Sequence, residues 1–140
     1  MDSRGIGNYI EILEAGGAIF ATTAASTVSV TGQTIDRSDY LSGAFFAGFF
    51  ASVNALSTVE ITGALKELKD GAWATVEGAL ISEAISLVTG ANYGGVELNV
   101  DLSGCEKEVR LEIAVAHPAV SQLGYVNIVA VLGGATVLPV

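Results

Sequence analysis

The stretch EVRLEIAVAH, residues 108–117, alternates with a period of two: Val109, Leu111, Ile113 and Val115 fall on one side, Arg110, Glu112, Ala114 and Ala116 on the other. Successive side chains of an extended strand point to opposite faces, so this pattern predicts a strand with one face buried. A helix would instead need apolar residues three and four apart. GVELNVDL (95–102) repeats the alternation with Val96, Leu98, Val100 and Leu102 against Glu97, Asn99 and Asp101. TVEITGALKEL (58–68) does so with Val59, Ile61, Gly63 and Leu65 against Glu60, Thr62 and Lys66. Three such segments in one chain predict an antiparallel all-β fold.

Two further segments are apolar on both sides. YLSGAFFAGFFASVNALSTV, residues 40–59, has no charged residue and about the ~20-residue length of a membrane-spanning helix. Ser42, Asn54, Ser57 and Thr58 interrupt it, Gly43 and Gly48 lie inside it, and no basic residue follows before Lys66. A spanning segment carries basic flanks on one side, so the run reads as a strand covered by an opposing sheet or by another copy of the protein. Gly43 and Gly48 then mark bulges or close backbone approaches. In LGYVNIVAVLGGATVLPV (123–140), Tyr125, Asn127, Val129 and Val131 oppose Val126, Ile128, Ala130 and Leu132. Such a strand is central in a sandwich or covered by something else.

Turn residues divide the rest. Asp70-Gly71 suits a two-residue hairpin turn, since that pair readily takes positive φ. DLSGCEKE (101–108) reads as a second hairpin turn between the two best alternating strands. His117-Pro118 closes the second of them, because proline cannot donate to a continuing ladder. Gly133-Gly134 reads as a bend before a short terminal extension. Seven or eight strands at this spacing predict an antiparallel β-sandwich or small barrel, jelly-roll-like, over residues 31–140. Residues 1–30 read as an extended N-terminal arm or a first strand. YIEILEAGG fits a short helix or a loose strand ended by Gly16-Gly17, and LISEAISLVTGANY (80–93) fits a helical turn or a connecting loop.

The 140 residues include 15 Asp and Glu against six Lys and Arg, a net charge of −9. That balance argues against a nucleic-acid partner, which needs clustered cations, and favours a basic partner surface. Cys105 is the single cysteine and His117 the single histidine. An intrachain disulfide is therefore impossible. Cys105 sits in a polar turn near Lys107, where its thiol is expected to be accessible, and His117 reads as an edge or turn histidine. Neither has the partners that catalysis or metal binding requires. No enzyme activity, cofactor or metal is expected. Trp73 follows the hairpin turn and is expected to pack over it. A sugar-binding platform would instead gather Trp73 with tyrosines such as Tyr93 and Tyr125 on one exposed face.

Four segments come in a recognisable order. They are GQTIDRSDY (32–40) with Ile35, Asp36 and Arg37, an apolar strand, KDGAWATV (69–76) with Asp70, Gly71 and Trp73, and the closing LGYVNIVAVLGGATVLPV with Gly124, Tyr125, Gly133 and Gly134. Over residues 28–140 the chain resembles a family of small proteins from tailed bacteriophages, usually encoded among head genes. It departs from that pattern in having YVNIVAV where relatives often carry a basic run after the Gly-Tyr pair. The resemblance implies a virion component: a decoration, or cement, protein on the outside of the major capsid protein shell. It would be made in the host cytoplasm and grouped as a homo-oligomer, as a trimer about a shell three-fold. Independently of that resemblance, TGQTIDRSDY reads as a turn in which Asp36 and Arg37 can pair or cap locally, and neither a membrane nor a nucleic acid is expected as a partner.

Overall fold

A computed structural model describes residues 11–135, and all its regular elements are strands. In order they are β1 (Glu11–Thr22), β2 (Ser26–Thr31), β3 (Ile35–Asp36), β4 (Tyr40–Val53), β5 (Ser57–Lys69), β6 (Ala72–Leu87), β7 (Gly90–Asp101), β8 (Glu108–His117) and β9 (Gln122–Ala135). Two antiparallel sheets form a β-sandwich. One has the order β1-β9-β4-β7 and the other β2-β8-β5-β6, with β3 following β2 along the same edge of β8. With the two-residue β3 set aside, this is jelly-roll connectivity.

The alternating segments become β5, β7 and β8, and their apolar residues meet in one core. Val59, Ile61 and Leu65 come from β5, Val96 and Leu98 from β7, and Val109, Leu111, Ile113 and Val115 from β8. Against them the four-stranded sheet sets Phe45, Ala47, Phe49, Ala51 and Val53 of β4 and Val126, Ile128, Ala130 and Leu132 of β9. Only β5 and β6 form a hairpin. Its tip is Asp70-Gly71, with φ of 52° and 79°, the positive pair that a type I′ turn requires.

Several expectations need correcting. DLSGCEKE does not close a hairpin: β7 pairs with β4 and β8 with β5, so the segment crosses from one sheet to the other. Leu102 and Cys105 are buried in that crossing. The two strands share one core, which places them on opposite sides of it rather than side by side. Gly16-Gly17 does not end the first element. β1 continues through it with a register shift between Glu14 and Gly16 and pairs with β9 to Thr22. Of arm or first strand, residues 11–22 and 26–31 are two strands, one in each sheet; residues 1–10 lie outside the described residues, as does the terminal extension from residue 136. The segment 80–93 is strand in β6 and β7 around a short turn, not a helical turn. Nor do Gly43 and Gly48 make bulges, since β4 keeps register with both neighbours across them. They are close approaches: a Cβ on Gly43 would come within 2.9 Å of the Phe45 ring, and one on Gly48 within 3.1 Å of Asn127 Oδ1.

The Ile35-Asp36-Arg37 turn is a brace. Ile35 is buried and pairs with Val109. Arg37 donates to the carbonyls of Cys105 and Glu106, pinning the crossing between the sheets. Asp36 does not pair with Arg37. It accepts from the Ser38 hydroxyl and backbone N–H and lies 3.7 Å from Lys107 Nζ. The Ser38 hydrogen bonds, and then Lys107, hold its carboxyl below the usual range. Asp101 is lowered in the same way by Ser103.

Two tests follow. A depressed folded-state pKa gives stability that is present above the unfolded value of about 3.9 and is lost as pH falls through the folded one. The urea midpoint should therefore hold from pH 7 to 5 and drop below about pH 4, with Asp36→Asn and Asp101→Asn flattening that drop. The second test is Gly124, whose added Cβ would run into the Phe50 carbonyl and sit 2.8 Å from the Phe20 ring. Gly124→Ala should cost about 3 kcal/mol in denaturant unfolding. Gly104→Ala, with open space around it, should stay within about 0.5 kcal/mol of the parent.

Candidate functional site

The four-stranded sheet turns one face to the core, and the described residues leave the other uncovered. Because side chains alternate, the residues between the core positions form that outer face: Phe46, Gly48 and Phe50 of β4, and Tyr125, Asn127 and Val129 of β9. Strand register aligns these positions into rows that cross the sheet. Ile19 pairs with Tyr125, Tyr125 with Phe50, and Phe50 with Tyr93, so one row spans β1, β9, β4 and β7. The Phe50 ring lies 5.0 Å from Tyr93 and 5.7 Å from Tyr125 between centroids, within the range where aromatic pairs attract. Ile19 is 84% exposed and Tyr93 78%, and Tyr125 and Leu123 are also exposed.

The next row along the strands is its opposite. Gly17, Asn127, Gly48 and Gly95 pair across the same four strands, so three of the four positions have no side chain. Beyond it, Val129, Phe46 and Glu97 raise the surface again. The outer face is therefore an aromatic ridge, a backbone-floored trough with one amide, and a second ridge. At the β1 end the trough opens into a depression of about 690 Å3 walled by Ile19, Tyr125, Gly17 and Asn127. With strands ~4.8 Å apart and ~3.4 Å per residue, the face from Leu123 to Val131 projects to roughly 400 Å2. That equals the largest apolar patches an ordinary monomer leaves open.

Charge is kept off the centre of this face. β4 and β9 carry no charged residue, and the acids of the sheet, Glu11 and Glu14 of β1 and Glu97 and Asp101 of β7, belong to its two edge strands. The other sheet carries Asp36, Glu60, Glu67, Glu77, Glu83, Glu108 and Glu112 against Lys66, Lys69 and Arg110. Both sheets are acidic on balance.

Of the residues singled out in the sequence, Tyr93, Tyr125 and Gly48 stand on this face. Gly124 lies beneath it, Asp70 and Gly71 form the hairpin tip, and Gly133 and Gly134 sit at the far end of β9. The expected bend is absent there: β9 runs through both to Ala135 in unbroken register with β4, with Gly134 at φ of 65°. Trp73 does not join the tyrosines. It is half-buried on the other sheet, where the Arg110 guanidinium lies 4.1 Å over its ring while Arg110 Nε holds Glu112 at 2.8 Å. Phe50, Ile19 and the glycine row went unnoticed, because only the pairing register brings them together.

The remaining chemistry is buried. Cys105 is 6% exposed rather than accessible, and burial pushes its thiol up, with Glu67 adding to the effect. His117 is no edge residue: it is buried and tilts against Phe20 at 4.2 Å. Gln122 donates from Nε2 to the Pro118 carbonyl, which turns its Oε1 toward His117 Nδ1 at 2.9 Å. Nδ1 is thereby the protonated nitrogen, and Nε2 has no partner. Among the described residues no cluster of His, Cys, Asp or Glu could hold a metal, and no helix is long and apolar enough to cross a membrane.

No protein-family profile matches the chain, and no curated protein matches it. Solved structures are distantly similar to it. The carbohydrate-binding module TmCBM61, in complex with β-1,4-galactotriose, is 12% identical with a TM-score of 0.48, over 92% of this chain and 85% of that one. A structure of infectious bursal disease virus, Gx strain, is 12% identical with a TM-score of 0.49, over 92% of this chain and 33% of that one. CBM28, a module specific for non-crystalline cellulose, is 16% identical with a TM-score of 0.47, over 85% and 76%. At such identities the likeness is one of fold alone.

The buried thiol yields a direct test. Native protein should react with a thiol-specific chromogenic disulfide orders of magnitude more slowly than the urea-unfolded chain. Equal rates would place Cys105 at the surface.

Proposed function

We propose that this chain is a structural protein of a virus particle, a decoration protein that adheres to an assembled shell and does no chemistry. The observation that carries the proposal is the uncovered outer face of the β1-β9-β4-β7 sheet. β4 and β9 are apolar on both sides, and the described residues cover only one. Such a surface is stable in water when another protein surface covers it. The order of motifs along the chain supports a phage head as the setting, and the uncharged central strands β4 and β9 support a division of labour. The apolar face joins copies of the chain, and the acidic surface around it meets basic surface on the coat lattice. A protein that binds only the assembled shell stabilises it by mass action.

Shells of the coat protein encoded with this chain provide the test. Mixed with them, the purified chain should co-sediment. The bound fraction should fall as salt is raised from 0.05 to 0.5 M, on the order of a threefold fall in Debye length, and should fall further in a Glu60→Lys, Glu77→Lys variant. A chain that stays in the supernatant with every form of the shell sinks the proposal.

One observation favours a second reading. Phe50, Tyr93 and Tyr125 share a face, as a glycan platform requires, although Trp73 is elsewhere. Under that reading the monomer binds an immobilised oligosaccharide and Tyr93→Ala abolishes the signal.

A further inference from the structure

We infer that the outer face is closed by a second copy of the same face, turned about a two-fold axis so that the aromatic ridge of each copy lies in the trough of the other. The inference rests on the homo-oligomeric part of the reading above and specifies its geometry.

The argument comes from the register. Ridge and trough are parallel rows, two residues apart along every strand, so about 7 Å separates them. Place a two-fold axis in the plane of the face, parallel to the rows and midway between them. The rotation carries each copy's ridge onto the other's trough and keeps every residue over its own strand. Ile19 then meets Gly17 of the second copy, Phe50 meets Gly48, and Tyr93 meets Gly95. On β9 the ridge residue is Tyr125 and the trough residue is Asn127, the one trough position with a side chain. A tyrosine hydroxyl and an amide can hydrogen-bond there, so the single interruption of the glycine row falls opposite the one central ridge residue with a polar tip. Phe50, by contrast, ends in a bare ring and faces a glycine.

Area and charge agree with this pairing. Two patches of roughly 400 Å2 in projection, corrugated and interdigitated, approach the lower range of specific interfaces. Self-pairing of most charged faces would set like charges together, but this face has no charged residue in either row. The same axis makes an isologous contact, each patch meeting itself, which closes after two copies and leaves nothing to polymerise. A trimer about a shell three-fold, as the resemblance implies, would give a different mass.

The geometry allows a complementation test. In one chain, Phe50→Ala and Tyr93→Ala flatten the ridge. In another, Gly48→Leu fills the trough; a Cβ added there meets only the movable Asn127 Oδ1, at 3.1 Å. The parent chain should sediment at twice the mass of one chain. Each variant alone, with an unchanged circular dichroism spectrum, should dissociate at least about tenfold more readily. An equimolar mixture should recover dimers holding one of each, because the intact ridge then enters the intact trough and the flattened ridge faces the filled one. Several results overturn the inference: a monomeric or trimeric parent, a ridge-flattened chain that still dimerises like the parent, or a mixture of folded variants that stays apart. If Gly48→Leu fails to fold, the ridge-flattened chain decides alone. A monomeric parent whose rings bind an oligosaccharide array overturns it in favour of a glycan. Sedimentation with shells keeps the two proposals separate. A monomer that binds shells removes the two-fold pairing and leaves decoration standing, and a dimer that ignores them does the reverse.

Discussion

The structure depends on a mismatch between what two strands bury and what the fold can cover. β4 and β9 are apolar at nearly every position, yet a two-layer sandwich covers each strand on one side. The covered side supplies Phe45, Phe49, Val126 and Ile128 to the core. The other side supplies Phe46, Phe50, Tyr125 and Val129 to water. Burial of apolar area is the dominant favourable term in both folding and association, at about 25 cal/mol per Å2. The same two strands therefore drive the formation of the sandwich and leave it with a face that gains from a partner.

Much else in the fold keeps that face flat and available. Crossings between the sheets, braced by Arg37 on the Cys105 and Glu106 carbonyls, keep the loops at the edges and ends of the sandwich. The third-row charges, Glu14 and Glu97, lie on the two edge strands and not at the centre. At the long edge of the other sheet, β6 sets the exposed Glu83 opposite the buried Ile61, and a charge at an edge discourages pairing with further strands. Association is thus disfavoured along that edge and favoured on one broad face.

How much of this was legible in the sequence varies by element. Period-two alternation identified β5, β7 and β8 with their buried residues, and Asp70-Gly71 identified the one hairpin, because both signals are local. The two-sided apolar character of β4 and β9 was legible too, together with its consequence that something must cover them. The path of 101–108 was not. Alternation says which face of a strand is buried but not which sheet it joins, and two strands on opposite sides of one core look like neighbours. The ridge and trough were hidden for a related reason: Ile19, Phe50, Tyr93 and Tyr125 lie far apart in sequence and meet only through register. Cys105 looked exposed because its neighbours are polar, yet the crossing tucks it under the brace.

The central claim is that the outer face of the four-stranded sheet is a covered surface in the working protein. Tyr93 reports on it most directly, being 78% exposed in the isolated chain. Nitration of Tyr93, quantified by mass spectrometry across a dilution series and on decorated particles, measures that exposure. The account requires rapid nitration in dilute protein and strong protection at high concentration or on the particle. Nitration at one rapid rate in every state would mean that nothing covers the face, and would contradict it.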